Sequence, residues 1–417
     1  MNSRRSILAG AAALLGLPPL SARSLTLPEL PDPALAERDP EKYWKRLRDE
    51  QFLLPDQRVF MNNGSLGVAP KPVVRAVVDY LERGAALLLP DGEYPRWGYE
   101  ALDEHRTVLS AYLGCAKEDL AFTHNATEAL STIAAGIDLN TGDEVVMTGL
   151  EHPSGKAGWQ VRRARHGIDI REVEIPLPPT GPDQLAARMI SAIGPRTRVL
   201  FFSGILSPTG TVMPVRRICD AARAKGVITV VDGAHMNGQL SMRLDELGCD
   251  YYAGSPHKWM FAPAGCGILW GRPEMLDKLW PTNVTGGWDR KESHAARFMM
   301  VGTNNRAIFE GMVAGVRFAN AIGPERIYTR IHALARQVRE RAAKLDYLRL
   351  VTPADDRLYG SLVTFETPGI DRQKFGRLCR ERKIWVAGGD RLRVSTHVHT
   401  RPRDIDALFA ALAEARA

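Results

Sequence analysis

Thr229-Val230-Val231-Asp232-Gly233-Ala234-His235, followed shortly by Ala253-Gly254-Ser255-Pro256-His257-Lys258-Trp259, is the stretch on which the reading of this 417-residue chain turns. The first run is a β-branched strand that ends in a carboxylate and breaks at a glycine. The second leaves another short strand, Tyr251–Ala253, and delivers a lysine three residues past Ser255. Two such strands side by side set an anion and an amine at one edge of a sheet.

The flanking sequence supplies that sheet. Between Leu120 and Trp270 short apolar runs alternate with helical periods. The predicted strands are 120–123, 144–148, 169–173, 199–203, 228–232, 251–253 and 267–270, with helices over 127–137, 183–193 and 215–224 among them. This pattern predicts an α/β fold with a mostly parallel seven-stranded sheet covered on both faces, whose ligands sit at the carboxyl ends of the strands. One long helical segment is expected from about 307 to 343. Strands at 362–365, 384–386 and 392–394, with a helix at 372–382, then predict a small α+β C-terminal domain. Near the start, 39–52 reads as an amphipathic helix with Tyr43, Trp44 and Leu47 inward. Pro70 and Pro72 open another, with Val73, Val74, Val77, Val78 and Leu81 on its apolar side. The expected division is 1–22 as a leader, 23–60 as linker and helix, 61–285 as the large domain, and 286–417 as a dimer-contact segment with the small domain.

A hydrophobic content of 45% with 25% charged residues is that of a soluble globular enzyme. The net charge of +7 is dispersed, and its one cluster, Arg162-Arg163 with Arg165, reads as a solvated helix face, so no nucleic-acid partner is expected. Five cysteines without C-x-x-C or metal spacing read as free thiols, and no metal is expected. Ser3-Arg4-Arg5-Ser6-Ile7-Leu8, a short apolar run and Leu20-Ser21-Ala22 resemble a twin-arginine export signal, with Ile7 where that pattern prefers phenylalanine. The expectation is a periplasmic protein, passed folded through the twin-arginine translocase and without a permanent membrane anchor, the run being far short of the ~20 residues of a span. The other reading of this segment is a frayed N-terminal helix of a cytosolic protein.

A lysine and a fixed carboxylate at neighbouring strand ends are what a pyridoxal 5'-phosphate (PLP) enzyme requires: an amine for the Schiff base, and an anion that keeps the pyridine nitrogen protonated. Asn125, Ala126 and Thr127, between a strand and a helix, offer N–H groups and a hydroxyl to a phosphate; plain N-capping is the alternative. His152 could lie flat on the ring or serve as a satisfied loop histidine. His235 could donate to the ring oxygen, and Ser255 and His257 could reach the phosphate.

T-H-N-A-T-E (123–128), E-H-P-S (151–154), S-P-T-G-T-V-M-P-V (207–215), V-D-G-A-H (231–235), S-P-H-K (255–258) and L-R-V-S (392–395) occur in that order. Together they resemble the class V aminotransferase family of fold-type I PLP enzymes, most of all its isopenicillin-N-epimerase-like branch. The resemblance implies Lys258 as the Schiff-base lysine, Asp232 as partner of the pyridine nitrogen, and His152 as the stacking residue. It also implies Ala126, Thr127, Ser255 and His257 around the phosphate, with Thr303 reaching it from the second subunit of a homodimer with shared sites. Arg393, with Asn63, is then placed at the substrate carboxylate, unless Arg393 pairs with an acid of the small domain. Two departures stand out. Gly204 occupies the position of an asparagine in the desulfurase branch, and Gly388-Gly389-Asp390 replaces the loop that carries its nucleophilic cysteine. Cys379 lies in a helix instead, which disfavours desulfurase chemistry. The expected activity is on an amino acid, or on a secondary metabolite containing one, by epimerase, transaminase or lyase-type chemistry. The alternatives are a general amino-acid aminotransferase and a non-catalytic binding protein. A dinucleotide oxidoreductase lacks its glycine-rich turn here.

Overall fold

The computed structural model describes residues 29–86, 102–389 and 391–416; the expected leader, 1–22, lies outside them. In chain order the strands are β1 (Val59–Phe60), β2 (Leu120–Thr123), β3 (Glu144–Thr148), β4 (Asp169–Val173), β5 (Thr197–Ser203), β6 (Ile205–Leu206), β7 (Thr211–Val212), β8 (Ile228–Asp232), β9 (Tyr251–Gly254), β10 (Gly267–Gly271), β11 (Arg349–Leu350), β12 (Leu362–Glu366), β13 (Ile384–Trp385) and β14 (Arg391–Ser395). Seven of them form the main sheet in the order β2-β10-β9-β8-β5-β3-β4, in which only β10 runs against its neighbours. The helices Ala126–Gly136, Pro153–His166, Pro182–Ser191 and Val215–Arg223 are the connections that parallel pairing demands. Strands buried on both faces read as continuous apolar runs, and Val199 to Phe202 and Val230-Val231 are fully buried. The expected seven-stranded α/β architecture is the one found.

The lobe boundaries fall elsewhere than the sequence suggested. The helix Ala307–Ile322 places Phe309, Met312, Val313 and Val316 in the large-lobe core, so the chain leaves that lobe at Gly323 rather than near 286. There φ is 98° and Pro324 follows, which divides the expected single helix into Ala307–Ile322 and Pro324–Ala343. The second helix packs Leu334, Ala335 and Val338 into the small-lobe core with Phe365, Val394 and Leu408. That lobe also recruits the start of the chain: β1 pairs in parallel with β13, and Val59 and Met61 are buried in its core. Consequently β13 is not part of the β11-β12-β14 sheet. The helix Lys71–Ala85 needs a further correction. It buries Val73, Ala76 and Tyr80, while Val74, Val78 and Leu81 are exposed, because it rests on the 307–322 helix along one narrow stripe.

Candidate active site

β8 ends at Asp232, with Ser203 of β5 and Ala253 of β9 on the adjoining rungs. β9 ends at Gly254, and the turn Pro256–Trp259 carries Lys258 back over the same edge before β10 returns. Asn125, Ala126, Thr127, His152, Asp232, His235, Ser255, His257 and Lys258 all line one cleft of about 200 Å³. Residues drawn from four strand ends, those of β2, β3, β8 and β9, thus meet where the sheet topology places a ligand.

Asp232 is buried, and its Oδ1 accepts the Ala234 N–H at 2.9 Å. Burial raises its pKa, and among the described residues no cation lies within ion-pair distance. A buried carboxylate so placed is costly unless a cationic donor meets it, and the protonated pyridine nitrogen of PLP is such a donor. Beside it, a side chain at Gly155 would come within 3.5 Å of the carboxylate and 2.8 Å of Phe201.

Burial pulls Lys258 down to about 8, against the pull of Asp232. Its Nζ lies 3.2 Å from His235 Nε2, and the Trp259 indole N–H donates to His235 Nδ1 at 3.3 Å. That donation leaves the proton on Nε2, since a neutral imidazole has one donor and one acceptor. His235, kept neutral by burial, thereby offers Nε2–H to an uncharged Lys258 amine, or to a cofactor oxygen beside it. Trp259, which the sequence reading passed over, sets this tautomer.

At the phosphate end Asn125 caps the Ala126–Gly136 helix, accepting the Glu128 N–H at 2.9 Å. The capping alternative is therefore met, and the same turn still faces the cleft with Thr127. Ser255 Oγ lies 3.4 Å from the Ala126 N–H. His257 Nδ1 donates to the Cys266 carbonyl at 2.9 Å, which leaves Nε2 as the ring's acceptor. His152 caps the next helix, accepting the Ser154 N–H at 3.2 Å, and burial of its inner side, then Lys258, holds its pKa below the ordinary value.

Arg393 settles one alternative. It pairs with no acid among the described residues; its Nη1 donates to Ser207 Oγ at 2.7 Å and its Nη2 to Ser65 Oγ at 2.9 Å. Its Nε is buried without a partner, and burial lowers its pKa. The acid of the neighbouring strand β12, Glu366, is held by Arg349 and Arg391 instead. Ser65 and Ser207, both in the cleft lining, were not foreseen; S-P-T-G marked Ser207 only as part of a motif.

Arg393 itself stands just outside the cleft lining, and two further expected residues lie elsewhere. Asn63 is buried outside the lining, donating through Nδ2 to the Lys258 carbonyl at 2.6 Å, so it braces the lysine from behind. Thr303 is exposed and does not line the cleft of its own chain. At Gly204 a Cβ would lie 2.0 Å from Met236 Sδ, so a side chain there requires the methionine to move. Cys379 is half-buried in the Arg372–Glu381 helix, outside the cleft, and burial pushes its thiol up to about 11.

The profile of the class V aminotransferase family matches residues 59–407. The chain belongs to the class V aminotransferase family. It is 34% identical over 405 residues to an isopenicillin N epimerase of Amycolatopsis lactamdurans, covering 89% of this chain and 98% of that protein. It is 30% identical to an isopenicillin N epimerase of Streptomyces clavuligerus, covering 88% and 97%. Among solved structures it resembles the cystine C-S lyase C-DES in complex with cysteine persulfide, at TM-score 0.77 and 25% identity, covering 87% of this chain and 99% of that one. The chain is a fold-type I, PLP-dependent enzyme of this family, which acts on amino acids. Asp232, Lys258, His152 and the 125–127 turn fit the cofactor's ring, aldehyde, face and phosphate respectively.

Proposed function

We propose that this enzyme moves the Cα proton of an amino-acid head group, with an epimerase-type outcome, on a metabolite met outside the cytoplasm. The carrying observation is Arg393, which has no acid partner among the described residues and is bonded to Ser65 and Ser207 in the lining of the cleft that holds Lys258. Its fork suits a carboxylate, which would exchange for the Ser65 and Ser207 hydroxyls. Bound PLP supplies an electron-poor ring that stabilises negative charge developing at Cα. Asp232 keeps the proton on the pyridine nitrogen. Lys258, with its pKa drawn down to about 8, takes the Cα proton and returns it. His152 is a second base in the same cleft, so a proton can be removed by one group and supplied by another. The names of the two epimerases aligned over most of this chain support that outcome. Cys379, which does not line the cleft, does not favour desulfuration.

The active unit is proposed to be a homodimer, supported by the exposed apolar stripe Val74, Val78 and Leu81 and by Thr303 lying free of its own cleft. Export through the twin-arginine translocase to the periplasm rests on Ser3 to Ala22 alone. Retention in the cytoplasm of both the full chain and an Arg4/Arg5→Lys variant would end that part of the proposal.

The central test uses purified holoenzyme in deuterated buffer. Amino acids and their side-chain conjugates are expected to gain deuterium at Cα, and borohydride to fix the cofactor on Lys258. Turnover of substrate with the Cα hydrogen fully retained would refute the reading.

A further inference from the structure

Pro256–Trp259 is a single helical turn, and so short a helix leaves its last carbonyls, those of His257, Lys258 and Trp259, without partners of its own. Each is met by a donor from a distant segment. The Gly67 N–H donates to the His257 carbonyl at 2.9 Å, the Asn63 amide to that of Lys258 at 2.6 Å, and His397 Nε2 to that of Trp259 at 3.3 Å. A carbonyl can only accept, so the His397 proton lies on Nε2. Burial holds the ring neutral, its pKa pulled down to about 4, and Nδ1 is buried without a partner among the described residues. Within those residues the one hydrogen bond of this imidazole goes to the lysine turn.

His397 holds Trp259 a second time, through the rings. Imidazole and indole are stacked, their centroids 5.8 Å apart and their planes at 29°. Phe261 stands edge-on to the imidazole at 4.8 Å, on a backbone with φ 61°, a left-handed conformation that a bulky side chain rarely adopts. Strain of that kind persists only where the surrounding contacts over-determine it. His399 is stacked on His397 in turn, at 5.6 Å and 23°, and its Nε2 lies 3.4 Å from Asn63 Oδ1. The Asn63 side chain thus joins His399 to the Lys258 carbonyl. Both histidines follow β14 and Asn63 follows β1, and the two segments run side by side through the bridge between Asn62 and Ser395. The small lobe therefore grips the back of the lysine turn at two consecutive carbonyls. It reaches His235 as well: Gln239 Nε2 donates to the His235 carbonyl and its Oε1 accepts the Ser361 N–H, each at 2.6 Å.

We propose that His397, with His399 acting through Asn63, is a positioning residue for Lys258, holding the main chain of the lysine turn from the small lobe so that the amine meets the cofactor aldehyde. The local turn presents the amine, and the small lobe fixes its aim. The same grip on Trp259 orients the indole that sets the His235 tautomer. Trp259, His397 and His399 do not line the cleft, so they act on the reaction only through Lys258 and His235. This inference concerns the cofactor and holds whatever the substrate and the outcome at Cα.

The test needs no substrate. The full chain is stripped of cofactor, and two processes are then compared. One is capture of PLP, in which the Lys258 nitrogen bonds to the aldehyde carbon and the aldehyde oxygen leaves as water. It is read from the visible band and from its fixation by borohydride. The other is binding of deoxypyridoxine phosphate, which has the ring and the phosphate but no aldehyde, read from tryptophan fluorescence. His397→Leu should slow capture about tenfold and Asn63→Ala about fivefold, while both bind the analogue to within about twofold of wild type. His397→Gln, whose amide can place an N–H where that of Nε2 stands, should restore capture to within about threefold of the wild-type rate. Asn63→Ala, which only shortens a side chain, carries the test alone should the leucine variant not fold. Capture at the wild-type rate in the variants that remove the contact overturns the proposal. Analogue binding that weakens in step with capture overturns it too, since the cleft as a whole is then disturbed. So does a glutamine variant as slow as the leucine one, because the donated proton is then not what holds the turn.

Discussion

Replacing Glu151 by glutamine should make the sheet edge beneath the active site less sensitive to pH. Glu151 is buried; its Oε2 accepts the Ser203 N–H at 2.9 Å, and the Ser203 and Thr148 hydroxyls also donate to its carboxylate. Burial pushes its pKa up to about 7, hydrogen bonds from Ser203 and Thr148 oppose the rise, and Asp232 adds to it. An unfolded glutamate keeps its ordinary value of 4.5. Folding therefore takes up a proton between these values. The stability this group contributes is complete below pH 4.5 and lost as pH rises to about 7. At about 1.4 kcal/mol per pH unit the interval amounts to about 3 kcal/mol. Glutamine is neutral throughout and can accept the Ser203 N–H as the protonated acid does. Hydrogen exchange of peptides spanning β3 and β5, compared in cofactor-free wild type and Glu151→Gln from pH 5 to 8, measures the effect. The variant's protection relative to wild type should climb by about a hundredfold over that range. A ratio constant with pH would show that the carboxylate is ionised throughout, or that opening of these strands does not expose it.

Further outcomes follow from the same contacts. Arg393→Ala should weaken amino-acid binding about a hundredfold and Arg393→Lys about tenfold, since the lysine keeps charge but loses the fork. A simple alkylamine lacking the carboxylate should bind both variants as it binds wild type, and an equal loss for the amine would refute the assignment. Gly67→Ala would set a Cβ 2.3 Å from the Lys258 carbonyl and 2.6 Å from that of His257, both rigid backbone. It should lower stability by about 1–3 kcal/mol and reduce cofactor occupancy. Wild-type unfolding temperature with a full visible band would show that the lysine turn yields freely.

The α/β core was readable because each buried strand is a short apolar run and each crossover helix has its own start and stop. The residues between Asp232 and Lys258 were readable for a related reason: the chemistry lies on consecutive strand ends, within reach of a linear pattern. What escaped depends on contacts between distant segments. The pairing of β1 with β13 involves two residues on each strand, joined across most of the chain, and has no local mark. Ser65 and Ser207 are ordinary turn residues until Arg393 arrives from the far end of the chain. Val74, Val78 and Leu81 have helical periodicity as good as that of Val73 and Tyr80. Only the narrow contact with the 307–322 helix decides which stripe is covered. Asn63 was expected at the substrate on the family resemblance, yet the turn directs its amide to the Lys258 carbonyl.

The reversed strand β10 has a consequence for the order in which this protein assembles. Lys258 is positioned by a local connection, β9 returning as β10 from Gly267 after the Pro256–Trp259 turn, which can form while the segment is being made. The phosphate turn is not local to it. Asn125 follows β2, and β2 joins the sheet only by docking on the far side of β10, where Thr123 lies opposite Gly267. Gly267 has no room for a side chain there, a Cβ being 2.4 Å from Thr123 Oγ1 and 2.5 Å from the Asn125 carbonyl carbon. Closing that junction joins residues nearly 150 positions apart, a slow step in chain collapse. Vitamin capture is thus a checkpoint: a nascent polypeptide holds its amine ready early, yet cannot grip the coenzyme until its outermost strand has come home.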